Sequence, residues 1–136
     1  MTAVQAVIDA FLFQPFVWGQ ADCAALAATA LTELGHSNPL ANVRRYTTER
    51  GAKRALLKLG HRSLEDAVDA LGLTRITPAQ TLPGDLIAIG DPMGQTWSAL
   101  GVSLGDDRAL AFVTQGDATV CTWGNLAAAT SAWRSI

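Results

Sequence analysis

Histidine is almost missing from this chain, with only His36 and His61, and cysteine is as scarce, with only Cys23 and Cys121 and no Cys-x-x-Cys spacing. These counts leave no zinc pattern and imply neither a metal nor a cofactor. A Cys23–Cys121 disulfide stays open, but nothing in the sequence marks an oxidising compartment, so two free thiols are expected. Charged residues make up only 16%, and ten Lys and Arg against twelve Asp and Glu give a net charge of −2. No cationic excess of the size that phosphate-backbone binding requires exists, which argues against nucleic acid as a partner. Long apolar runs are lacking too. The longest, near Cys23 to Ala28, is far below the roughly 18 residues of a membrane span. The first residues carry no base ahead of their apolar stretch and place Asp9 inside it, so no secretory signal is expected.

What is present is alanine: 24 of 136 residues, within a hydrophobic fraction of 49% that is only 7% aromatic. Such a core is built from small-residue helices that approach closely. The length suits one domain over 1–136, able to bury about two thirds of its unfolded surface; no repeat or linker interrupts it. Val4, Val7, Ile8, Phe11 and Leu12 form one helical stripe, with Thr2 as cap and Pro15 beyond, which predicts a helix over 3–13. Asp22 caps a second helix from Cys23 to a Gly35 stop. Thr47 or Thr48 opens a third that runs to Leu59, and Ser63 opens a fourth that ends by Gly72. Four short apolar runs follow, at 85–89, 99–104, 109–114 and 118–123, joined by turns short enough for antiparallel hairpins. The alanine-rich tail from Leu126 to Trp133 predicts a short helix. Helices first and strands second give an α+β fold with a roughly four-stranded antiparallel sheet. Ala24, Ala27, Ala28 and Leu31 should pack against strands bearing Ile87, Val102 and Phe112.

One local constellation has chemical meaning: Trp18-Gly19-Gln20-Ala21-Asp22-Cys23, a turn that delivers a cysteine onto the first position of a helix. Unpaired N–H groups and the helix dipole there lower a thiol pKa, while the adjacent Asp22 opposes this. A buried cysteine acting as a small apolar residue is the commoner case on composition alone. Trp18 either walls a cleft beside Cys23 or is a core aromatic over the helix.

The W-G-x-x-D-C start, followed by Pro83-Gly84-Asp85-Leu86 and Leu100-Gly101-Val102-Ser103-Leu104-Gly105, resembles the NlpC-type cysteine peptidases, compact relatives of papain. The resemblance spans roughly residues 3–123. It implies a papain-like fold with Cys23 at the nucleophile position, and it places Ala99 where the family carries its catalytic histidine. Alanine moves no proton, and Trp97, Ser98 and Leu100 supply no base either. The family's orienting polar residue falls near Thr114 or Gln115, with no histidine to orient. His36 lies about 18 Å from Cys23 along the helix axis, and His61 follows the Gly60 stop.

A narrower likeness holds to small proteins encoded among phage or prophage tail genes. It rests on Phe16 to Ala28, Tyr46 to Ala52, Leu100 to Gly105 and Ala132-Trp133-Arg134. It implies a peptidase-like scaffold kept as a structural part of a tail tip or baseplate in the virion, assembled in the host cytoplasm and binding neighbouring hub or baseplate proteins. The alternative is an active peptidoglycan peptidase with Cys23 as nucleophile and an unidentified base; a thiol acyltransferase would need a base as well. The missing histidine favours the non-enzymatic reading. For partner contacts, Trp97 and Met93 in the loop between the first two sheet runs are the best candidates, ahead of Trp133, and core packing is preferred for Trp123.

Overall fold

A computed structural model describes residues 2–36, 46–90 and 98–135. Its helices are α1 (Ala3–Phe11), α2 (Cys23–Glu33), α3 (Glu49–Lys58) and α4 (Leu64–Asp69). Each is opened by a side chain that accepts an otherwise orphan N–H: Thr2 from Gln5, Asp22 from Ala25, Thr48 from Gly51 and Ser63 from Asp66. α2 and α3 end alike. Gly35 and Gly60 take left-handed φ values of 90° and 87°, and the next N–H, of His36 or His61, reaches back to the Leu31 or Leu56 carbonyl. This is a Schellman closure, and it gives both histidines a local backbone role. α1 stops short of residue 13. Phe13 adopts a φ of 64° and donates its N–H to the Cys121 carbonyl, so the chain has already turned onto the sheet edge. Pro15 disfavours helix at the residue before it.

The sheet holds six strands among the described residues, where about four were expected: β1 (Thr74–Ile76), β2 (Leu86–Ile89), β3 (Ala99–Gly105), β4 (Arg108–Gln115), β5 (Ala118–Asn125) and β6 (Ser131–Arg134). Their spatial order is β1-β6-β2-β3-β4-β5, and every pairing is antiparallel. The β3–β4 hairpin turns on Asp106 and Asp107, both at positive φ, 51° and 61°, as its right-handed twist requires.

The expected tail helix is replaced by one 3-10 turn, Leu126–Ala128, and then β6. Alanine's helix preference is overridden because β6 slots between β1 and β2, gaining two ladders and burying Trp133 completely. Trp133 is thus a core residue rather than an interface candidate. Its Nε1 donates to Asp69 Oδ1 at 2.8 Å, and the Arg75 guanidinium lies 5.1 Å from its ring centroid. Arg75 in turn grips both Asp69 oxygens at 2.9 and 2.8 Å. Trp123 reverses its expectation in the other direction: it is 48% exposed, tilted against Phe13 at 5.7 Å. Period two sets it on the same face as Cys121, so its exposure comes from its place near the end of the edge strand β5.

The main core lies between the helices and one sheet face. α2 contributes Ala25, Leu26, Ala27, Ala30 and Leu31, and the sheet contributes Leu86, Leu100, Val102, Leu110, Cys121 and Trp133. Ala28 and Leu31 are buried as expected. Ile87 is not on this face. It alternates with Leu86 and Ala88 and joins a smaller cluster with Ala109, Leu126 and Ala132 on the reverse side. Gly101 lies on that side too, where a Cβ would come within 2.7 Å of the Leu110 carbonyl oxygen, so only glycine fits.

Candidate functional site

The turn ahead of α2 is closed by paired backbone bonds between Val17 and Ala21, at 2.8 and 2.9 Å, with Gly19 at φ 79°. Asp22, only 1% exposed, fastens three elements at once. Its Oδ1 accepts from Ala25 N–H at 2.8 Å, and its Oδ2 accepts from Gly19 N–H at 2.9 Å and from the Tyr46 hydroxyl at 2.6 Å. The carboxylate therefore holds the turn, the helix start and the segment entering α3, which leaves it no freedom to act as a base toward Cys23.

Cys23 occupies the helix position expected of it and is a free, partly buried thiol. The backbone N–H of Leu100 faces the sulfur from β3, beside Ala99. Burial nevertheless pushes this thiol up to about 11; the Leu100, Ala24 and Cys23 N–H groups lower it only in part, and the Asp22 charge raises it further. The expected lowering by the helix start is thus overturned, because desolvation of the thiolate outweighs the dipole. Cys121 is also free, and burial pushes it up to about 12.

Cys23 opens onto a cavity of about 190 Å³ that Trp18, Asp22, Ala99 and Ser98 also line. Its walls are aromatic. Phe16 meets Trp18 edge-on at 4.6 Å and Phe112 at 5.3 Å, and Trp18 meets Tyr46 at 6.3 Å. Trp18 is therefore a cavity wall and a packed aromatic together. Leu56 and Leu64 close the apolar side, while Glu49 and Lys53, 3.1 Å apart, stand on the α3 side. No histidine lines the cavity among the described residues. His36 Nε2 is engaged by the Ser135 carbonyl. Thr114 bonds Thr119 across the β4–β5 hairpin at 2.8 Å; Thr119 lines the cavity, and the Gln115 side chain lies outside the described residues. Ser98 donates to Glu65 at 2.8 Å, and Glu65 does not reach the cavity lining. Met93 and Trp97 also lie outside the described residues.

In the sequence Phe16 and Tyr46 figure only as motif positions and Phe112 only as a strand residue; neither they nor the α3 residues are assigned to this site there. One signal was available for Tyr46. A Cβ on Gly51 would press to 3.2 Å on both Tyr46 Cβ and Thr48 Oγ1, so the Tyr-Thr-x-x-x-Gly spacing marks a tyrosine folded back over a helix start.

Among the described residues, no group of three or more His, Cys, Asp or Glu is placed to hold a metal ion, and no helix is long and apolar enough to cross a membrane. The fold and site define an α+β domain with a partly buried thiol in a largely apolar cavity. Residues 1–135 match the family described as a domain of unknown function, DUF6950, and the chain belongs to that family. No curated protein and no solved structure matches it significantly.

Proposed function

We propose that the chain is a catalytically degenerate, peptidase-like binding module on the NlpC-type variant of the papain-like fold. Its proposed place is the tip or baseplate of a phage or phage-like tail, where it holds neighbouring tail proteins. One observation carries the non-catalytic reading: Cys23 opens into its cavity beside Ala99, no histidine lines that cavity among the described residues, and its two carboxylates are engaged, Asp22 by three hydrogen bonds and Glu49 by Lys53. Thiol acyl transfer and peptide hydrolysis both need that proton moved near neutral pH. The helix order, the cysteine at the start of α2 and the antiparallel sheet support the NlpC-type likeness. The tail assignment rests on the motif likeness at Phe16–Ala28, Tyr46–Ala52, Leu100–Gly105 and Ala132–Arg134. β6 gives the last of these motifs a core role.

Two measurements test this reading. Purified protein should leave muropeptides intact, and Ala99→His should remain inactive, since no partner is set to orient the new imidazole. Affinity-tagged protein expressed with its tail gene neighbours should co-purify with a hub or baseplate protein. Muropeptide turnover by the wild type that vanishes in Cys23→Ser would overturn the proposal in favour of a peptidoglycan peptidase.

A further inference from the structure

The near-neutral total charge conceals a sharp internal division. Seven of the ten Lys and Arg lie between residues 44 and 62 with a single carboxylate, Glu49, among them; the rest of the chain carries three cations against eleven carboxylates. α3 displays four of its described members, Arg50, Lys53, Arg54 and Lys58. Arg50, Arg54 and Lys58 follow one another at helical spacing on its outer face, all exposed. Among the described residues none of the three is paired with a carboxylate. A shallow groove there is lined by Glu49, Arg50, Lys53, Arg54 and Leu57; its one carboxylate, Glu49, is held by Lys53 at 3.1 Å, and Leu57 is 59% exposed. The inner edge of the same helix, through Ala52, Lys53 and Leu56, forms a wall of the Cys23 cavity. A cationic groove and an apolar cavity therefore adjoin across one helix.

We infer that this pair of features receives an acidic protein segment bearing one apolar anchor side chain, the anchor entering the cavity and the flanking carboxylates lying along α3. The inference rests on the binding-module reading and names what the module binds. Size selects the anchor: about 190 Å³ exceeds the roughly 150 Å³ of a cavity that holds one benzene ring, so one aromatic or branched side chain fits and a long chain does not. The neutral thiol suits such a guest. Charge selects the flanks, since three cations within about two helical turns, without a carboxylate partner among the described residues, complement carboxylates spaced along a short segment. Larger polyanions fit less well. A bilayer needs a continuous apolar face, but Leu56 is turned inward at 5% exposure. A nucleic-acid duplex would meet the surplus carboxylates beyond α3.

The test uses the full chain and a fluorescein-labelled nonapeptide of aspartates and glutamates around one central phenylalanine, read by anisotropy. Binding should weaken at least about tenfold between low and physiological salt. It should fall at least about tenfold when the phenylalanine becomes serine, and as much in Arg50→Glu/Arg54→Glu, a surface variant whose fold is checked by circular dichroism. Bound peptide should slow alkylation of Cys23. Equal binding of a lysine-flanked peptide, unchanged binding by the charge-reversed variant, or no peptide binding would overturn the inference. So would capture by phosphatidylglycerol vesicles or a DNA duplex in place of the peptide. These outcomes are separable from failure of the underlying reading: tail-protein co-purification without peptide binding removes only this inference, whereas Cys23-dependent muropeptide turnover removes the module reading whatever the peptide does.

Discussion

Cys23 and Asp22 are neighbours whose roles invert what position alone implies. A helix N-terminus favours a thiolate, and a free Asp beside it would be the nearest acceptor for a proton. Here burial takes the thiol up to about 11 from 9.0, and Asp22 is consumed by three hydrogen bonds. Two units in pKa mean about a hundredfold less thiolate at neutral pH. Iodoacetamide should therefore modify native Cys23 at pH 7.5 at least about a hundredfold more slowly than the unfolded chain, with the gap closing in denaturant; equal rates would show an activated thiol. Asp22→Ala should cost about 2–4 kcal/mol in urea denaturation, because it removes the cap and with it the bonds from the Gly19 N–H and the Tyr46 hydroxyl. Asp22→Asn should cost less, since it keeps a capping oxygen. These two residues were legible because caps and turns are written locally. Tyr46 was not, since its bond to Asp22 spans 24 positions.

At the scale of elements, the parts that local pattern specifies were readable and those set by pairing partners were not. Four helices, their caps and the β2–β3–β4–β5 meander follow from periodicity, Gly stops and short turns. β1, a three-residue strand, is too short to show a period, and β6 reads as helix because alanine surrounds it. Both exist because they pair with each other, 55 or more positions apart in the chain: Ile76 with Ala132 and Thr74 with Arg134. The β6 strand is further pinned at its end, where buried Asp85 accepts the Ser135 N–H at 2.8 Å and sits 3.3 Å from Arg134. Trp133→Ala should cost about 3–5 kcal/mol, the loss for emptying a large aromatic site. Arg75→Ala, which removes a half-exposed ion pair and a cation–π contact, should cost no more than about 1 kcal/mol. A comparable loss from the two variants in chemical denaturation would mean that β6 is held by its surface clamp rather than by the core.

For the whole molecule, the groups with displaced pKa values predict a stability plateau with unequal arms. Bonds from Arg75 and Trp133 hold the Asp69 carboxyl down at about 2 against 3.8. The folded chain thus binds fewer protons there than the unfolded one, and the Asp69 contribution is present above pH 3.8 and lost as pH falls toward 2. It should be small, because the Asp69 side chain is 40% exposed and solvent screens it. The alkaline arm has the opposite sign. Cys23 and Cys121 rise to about 11 and about 12 from 9.0, so between those values the folded chain holds protons that the unfolded chain releases. Their contribution is full below pH 9.0 and is lost as pH climbs toward 11 and 12. Urea midpoints should fall more steeply above pH 9 than lysine and tyrosine titration alone produces, and Cys23→Ala combined with Cys121→Ala should flatten that fall while lowering the plateau through lost packing. The excess slope is the diagnostic quantity, because a cavity penalty displaces the whole curve and leaves its slope unchanged. A double variant with the same alkaline slope as the wild type would show that both thiols ionise as freely in the fold as outside it, and Cys23 would then regain the nucleophile's electrostatics that burial otherwise removes.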